Sequence, residues 1–174
     1  MWEAHIMSLN QPSGRHAAAR PAAAHAGKAL AGSGRSGTHP DDIETFLVRF
    51  DPLEQRRQIR EGMEATIIER VAKELLHVPV QTLLASLNLP SSTILRKMAR
   101  AERLSPAESD RVARVLYVRQ LAVEVFEDPA LAAEWMQRSN AELGRLSPLE
   151  VLDSQPGYDR VREILLRVIH GVSA

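Results

Sequence analysis

The sequence predicts an all-α protein, and three observations carry that prediction. Only seven of the 174 residues are aromatic and β-branched runs are short, whereas Ala, Leu, Arg and Glu, good helix formers, are abundant. Apolar residues recur at helical spacing and nowhere alternate as in a half-buried strand. From residue 41 onward the chain is punctuated by helix-start signals of one kind, an N-cap residue followed by Pro at the first helical position. Without Cys, disulfides, thiolate nucleophiles and Cys-bound metals are excluded, a composition that fits a cytoplasmic protein. No apolar run approaches the roughly 20 residues of a membrane span.

The elements follow in order. Residues 1–40 are rich in Ala and Gly, hold four of the six His, and have one acid, Glu3, against Arg15, Arg20, Lys28 and Arg35. So few large apolar groups cannot offset the entropy of ordering, and the segment reads as a disordered basic arm. Its stretch Gly32-Ser33-Gly34-Arg35-Ser36-Gly37 matches the dinucleotide fingerprint by count, but Ala precedes it and Pro40 follows, so it reads as linker. His5, His16, His25 and His39 share no helix face, and no metal is expected. Helices are expected near 41–50, 52–60, 63–76, 79–87, 91–101, 106–126, 129–137, 148–153 and 157–170. Asp51-Pro52, Ser105-Pro106, Asp128-Pro129 and Ser147-Pro148 open four of them, and Glu54, Glu108 and Glu150 complete three capping boxes. Core stripes run through Ile67, Ile68, Val71, Ala72, Leu75 and Leu76, through Val112, Val115, Leu116, Ala122, Val123 and Phe126, and through Val161, Ile164, Leu165, Val168 and Ile169. Gly171 stands where a left-handed helix end is expected.

Residues 78–103 have helix-turn-helix grammar. A short helix turns Val80, Leu83, Leu84 and Leu87 inward, Asn88-Leu89-Pro90 makes a tight turn, and Ser91 caps a second helix with Ile94, Leu95 and Met98 toward the core. The other surface of that second helix offers Ser92, Thr93, Arg96, Lys97 and Arg100, with Arg103 just beyond. Hydroxyls and guanidinium forks at the start of a helix are suited to phosphates and base edges. We take Ser91, Ser92, Thr93, Arg96, Lys97 and Arg100 as candidate DNA contacts. The formal net charge of zero conceals segregation: residues 91–119 hold seven bases against three acids, and residues 120–174 nine acids against five bases. The first suits DNA and the second a protein partner.

No catalytic site is expected. His77 and His170 stand alone in helical patterns, and no carboxylates converge on a Ser, Lys or His in a recognisable order. Neither a metal nor a cofactor is called for.

The order Ala132-x-x-Trp135, Asn140-x-x-Leu143-Gly144, Ser147-Pro148-Leu149, Leu152, Gly157, Val161, Leu165 and His170-Gly171 resembles the toxin-binding domain of the Xre/ParS/MbcA antitoxins. Arg103-Leu104-Ser105-Pro106-x-Glu108-Ser109-x-Arg111 resembles that family's junction with an upstream Xre-like helix-turn-helix. Met136 stands where the family often has Leu, and Ser154 where Thr is usual. The resemblance covers about residues 62–174 and leaves the arm over 1–40 unexplained; with it the chain divides into that arm, an Xre-like helix-turn-helix domain over 41–119 and a toxin-binding domain over 120–174. It implies an antitoxin of a type II pair whose partner is a RES-domain toxin that consumes NAD or uses it for ADP-ribosylation. In such a pair the antitoxin's C-terminal segment occludes the toxin's active site. By the same resemblance the helix-turn-helix binds its own promoter DNA as a homodimer. Carried over by position, the toxin-binding residues are Trp135, Asn140, Leu143, Gly144, Pro148, Leu152, Ser154, Gly157, Arg160, His170, Gly171, Val172, Ser173 and Ala174. The alternative is a stand-alone helix-turn-helix regulator without a toxin.

Overall fold

In the computed structural model of the chain, residues 43–49 and 51–171 are described. The arm, its Gly-rich stretch and its histidines, and Val172, Ser173 and Ala174, lie outside them. Eight α-helices order the described residues. They are α1 (Pro52–Glu61), α2 (Ile67–Arg70), α3 (Val80–Ser86), α4 (Ser91–Ala99), α5 (Pro106–Phe126), α6 (Pro129–Gln137), α7 (Pro148–Val151) and α8 (Gln155–Ile169). A π-wound segment, Thr45–Arg49, precedes α1, another, Val71–Leu76, continues α2, and a 3-10 turn, Ala141–Leu143, precedes α7. Among the described residues no strand forms beyond one isolated bridge, and no helix is long and apolar enough to cross a membrane.

The N-cap and Pro signals act as their chemistry requires. Asp51 Oδ1 accepts the N–H groups of Leu53 and Glu54 at 2.8 and 2.9 Å, and Asp128 Oδ1 those of Ala130 and Leu131 at 2.7 and 3.2 Å. Reciprocal capping boxes close at Ser105/Glu108 and Ser147/Glu150. The box expected at Asp51 lacks its return bond, because Glu54 instead accepts from Arg57 at 2.7 Å and Gln58 at 3.2 Å. The helix expected from residue 63 begins at Ile67. Its first residues are drawn into the pairing of Glu64 with Arg103: Leu104 N–H donates to Met63 O at 2.8 Å, and Ala65 N–H to Glu102 O at 3.0 Å. Gly62 makes that approach possible, with φ +89° and no room for a side chain, since a Cβ there would stand 2.2 Å from Leu104 O. Nor does Ser91 cap α4: Pro90 holds the cap position and no side chain bonds the first N–H groups.

A single apolar core runs through the helix-turn-helix and the C-terminal helices. Leu76, Leu83, Leu84, Leu87 and Ile94 from the first half and Met136, Leu149, Leu152 and Leu165 from the second are fully buried, each contributing about 2 kcal/mol of transfer free energy. The long α5 is its axis. It packs on α1, α6 and α8 and buries Val112, Ala113, Val115, Leu116, Val118 and Ala122 around most of its circumference. It runs unbroken through residues 119 and 120, where the sequence pattern divides the chain.

Three residues expected in the core are not there. Leu95 on α4 and Val168 and Ile169 on α8 keep 38%, 60% and 43% of their surface exposed. Helical spacing put them on apolar stripes, but among the described residues the neighbouring elements cover them only in part.

Candidate functional site

The helix pair α3–α4 has the turn its sequence demands. Asn88 adopts φ +49°, a conformation Asn tolerates, and Leu89 N–H closes on Leu84 O at 2.9 Å. Of the six candidate DNA contacts, Ser92, Arg96 and Arg100 are exposed, and Ser91, Thr93 and Lys97 are half-buried. Arg96 has no ion-pair partner among the described residues, and Arg100 stands 3.7 Å from Glu102. Lys97 points elsewhere than expected: its ammonium lies 2.6 Å from Glu108 Oε2, within the capping box of α5. Burial pushes the Glu108 carboxyl up, but Lys97 and the Ser105 N–H and hydroxyl outweigh it and hold the group below the usual carboxylate range.

Other bases of residues 91–119 are engaged inside the molecule as well. Arg103 donates to Gly62 O at 2.7 Å, Arg111 to Asn88 O at 2.9 Å, and Arg114 pairs with Asp110. Arg119 is half-buried in the wall of a groove, and burial lowers its pKa. The cationic surface free to meet phosphate is therefore smaller than composition suggests, centred on Arg96 and Arg100.

The second half divides differently. Most residues carried over as toxin-binding build the fold. Leu143, Pro148 and Leu152 are buried, and Trp135 is half-buried with its ring 5.8 Å from that of Phe126. Asn140 organises the loop after α6: its side chain accepts the Glu142 N–H at 2.9 Å, its carbonyl accepts from Leu143 and Arg145, and its N–H donates to Leu146 O at 2.9 Å. Gly144 ends the 3-10 turn at φ +66°. Ser154 caps α8 by accepting the Gly157 N–H at 3.3 Å. Gly157 is a contact between backbones, since a Cβ there would lie 1.9 Å from Val151 O. Arg160 pairs with Glu142 at 3.1 Å and Glu163 at 2.9 Å, and Arg167 joins it on Glu142. His170 and Gly171 are exposed at the helix end.

What sequence reasoning missed is that several large apolar side chains of this half stay exposed. Val168 and Ile169 at the end of α8, Leu131 on α6 and Leu146 before α7 are exposed large side chains. A groove of about 430 Å³ follows the outer face of α8 past Leu166 and Arg167 to His170. Periodicity marked Val168 and Ile169 as apolar-facing. It carries no signal that distinguishes a side chain covered by its own fold from one left for a partner.

Comparison with known proteins places both halves. Residues 54–117 match the model of the antitoxin Xre-like helix-turn-helix domain, and residues 121–171 that of the antitoxin Xre/MbcA/ParS C-terminal toxin-binding domain. Among similar proteins, the Antitoxin Xre of Yersinia enterocolitica is 32% identical over 96 residues, 55% of this chain and 65% of that protein. The Antitoxin Xre of Pseudomonas putida is 26% identical over 68% of this chain and 73% of its own length. The Prs ADP-ribosylating antitoxin of a Sphingobium strain is 27% identical over 74% and 86%.

Proposed function

The chain belongs to the Xre/MbcA/ParS family of antitoxins, and from that premise we propose that it neutralises a RES-domain toxin by steric occlusion of the toxin's active site. The observation that carries this reading is the end of α8, where Val168 and Ile169 stand exposed next to His170 and Gly171. Exposed apolar side chains at the terminus of a helix that buries its other stripe residues, Val161, Ile164 and Leu165, are what a protein partner would bury. Inhibition of this kind asks no chemistry of the antitoxin, so the chain acts as a binding protein and not as an enzyme. The Sphingobium relative, named for ADP-ribosylation, supports a toxin that uses NAD. Both partners meet in the cytoplasm.

The helix-turn-helix serves autoregulation in this reading: a homodimer places two copies of α4 on the operon's own promoter, with Ser92, Arg96 and Arg100 at the DNA. The exposed hydroxyl and guanidinium groups of α4 support it.

Co-expression with a RES-domain toxin, sought first among the reading frames beside the gene, tests the proposal. Growth and cellular NAD are restored, and the two proteins co-purify. Toxicity undiminished by a well-expressed antitoxin, with no complex recovered, would sink the proposal and leave the stand-alone regulator.

A further inference from the structure

Both ends of α4 are fastened to the first two turns of α5. At the far end Lys97 Nζ sits 2.6 Å from Glu108 Oε2, and the two side chains keep only 17% and 14% of their surface exposed. The same carboxylate oxygen accepts the Ser105 backbone N–H at 2.6 Å. One group thus caps α5 and anchors α4. At the near end, Arg111 Nη1 donates to Asn88 O at 2.9 Å and Leu87 O at 3.3 Å, gripping the turn that launches α4. By charge alone Lys97 and Arg111 both count toward a phosphate-facing set, yet each is turned onto the protein.

We propose that Lys97 and Glu108 are positioning residues for DNA reading: together they fix the angle at which α4 presents Ser92 and Arg96, and Lys97 neutralises no phosphate. This rests on the promoter-binding reading above. For Lys97 to meet a phosphate it would have to leave Glu108 as a poorly solvated charge without its counter-ion, which is a large cost. The pair, being neutral together, displaces no counterion from DNA, whereas each true phosphate contact does. Arg111 acts in the same sense on the turn.

The test is the affinity of the full chain for its promoter across roughly 50 to 200 mM salt, in the wild type and in Arg96→Met, Lys97→Met, Lys97→Arg and Glu108→Gln. Arg96→Met flattens the logarithmic salt slope by about 0.9 for each phosphate that Arg96 neutralises. Lys97→Met weakens binding roughly tenfold with the slope unchanged, the scale of one charge-assisted hydrogen bond, and Lys97→Arg recovers most of it. Glu108→Gln is the sharper variant, because it keeps an acceptor for Ser105 and removes a negative charge near the DNA. Simple repulsion predicts tighter binding from it; positioning predicts weaker. A slope that falls in Lys97→Met as it does in Arg96→Met, or tighter binding by Glu108→Gln, overturns the proposal. A wild-type chain that does not bind the promoter removes the promoter reading itself, and this inference with it.

Discussion

The end of α8 and the face of α4 treat their characteristic side chains in opposite ways. On α4 and its surroundings, the bases that composition assigns to a nucleic acid are mostly turned inward: Lys97 onto Glu108, Arg103 onto Gly62, Arg111 onto the turn at Asn88. On α8, periodicity assigns five apolar residues to the core, and Val161, Ile164 and Leu165 lie there, but Val168 and Ile169 at the end of the same stripe stand in water. A charge count overstates a binding surface where charges also serve as fasteners. A hydrophobic stripe understates one where it runs past the elements that cover it.

The comparison can be broken most forcefully at α8. Val168→Asp with Ile169→Asp is expected to lower affinity for the toxin by at least about 100-fold, about 3 kcal/mol, because two charges replace the apolar centre of the proposed contact. The melting temperature changes little, since both positions are already exposed. Titration calorimetry against the purified toxin and a melting curve together check this; a destabilised fold would make Val168 and Ile169 core residues after all.

Next in size is Gly157→Ala, which drives a Cβ to within 1.9 Å of Val151 O and forces α7 and α8 apart. A loss of about 2 kcal/mol of stability is expected, read by chemical denaturation, with toxin affinity falling as a consequence. This separates residues that build the surface from those that touch the partner. Smaller again, Ser147→Ala removes the cap of α7 and costs about 1 kcal/mol, visible in the same denaturation curves.

The capping carboxylates give the smallest and most diagnostic effect. Bonds from the Ser147 N–H and hydroxyl hold the Glu150 carboxyl below its usual range, as Lys97 and Ser105 hold Glu108 against the upward push of burial. A carboxyl depressed in the folded state binds fewer protons there than in the unfolded chain. Its contribution is therefore present above the unfolded value, about 4.3, and is lost as pH falls through the folded one. Acid unfolding followed by circular dichroism should be less steep between pH 5 and 3, in rough terms, for Glu108→Gln and Glu150→Gln than for wild type.

Much of this fold is legible in the sequence because its signals are local. Asp51, Ser105, Asp128 and Ser147 bond N–H groups two or three residues away, so the starts of α1, α5, α6 and α7 need no tertiary knowledge. The site is less legible because its determinants are not local. Lys97 finds Glu108 eleven positions on and across a turn, and Arg111 reaches back to Asn88. Residues 63–65 forgo the expected helix for backbone partners near residue 103. Ser91 reads as a cap, yet Pro90 takes that position. The exposure of Leu95, Val168 and Ile169 depends on what other helices do, which spacing does not encode. The family pattern itself picks out Asn140, Gly144, Leu152 and Gly157, whose work in this chain is to shape the loops and helix contacts beneath the surface.

Hydrogen exchange on the chain alone and in complex with the proposed RES-domain toxin decides whether the end of α8 is the contact. New protection of amides is expected in the last turns of α8, over residues 163–171, with exchange across α4 unchanged. Protection confined to α4, with the end of α8 exchanging as fast as in the free chain, would contradict it.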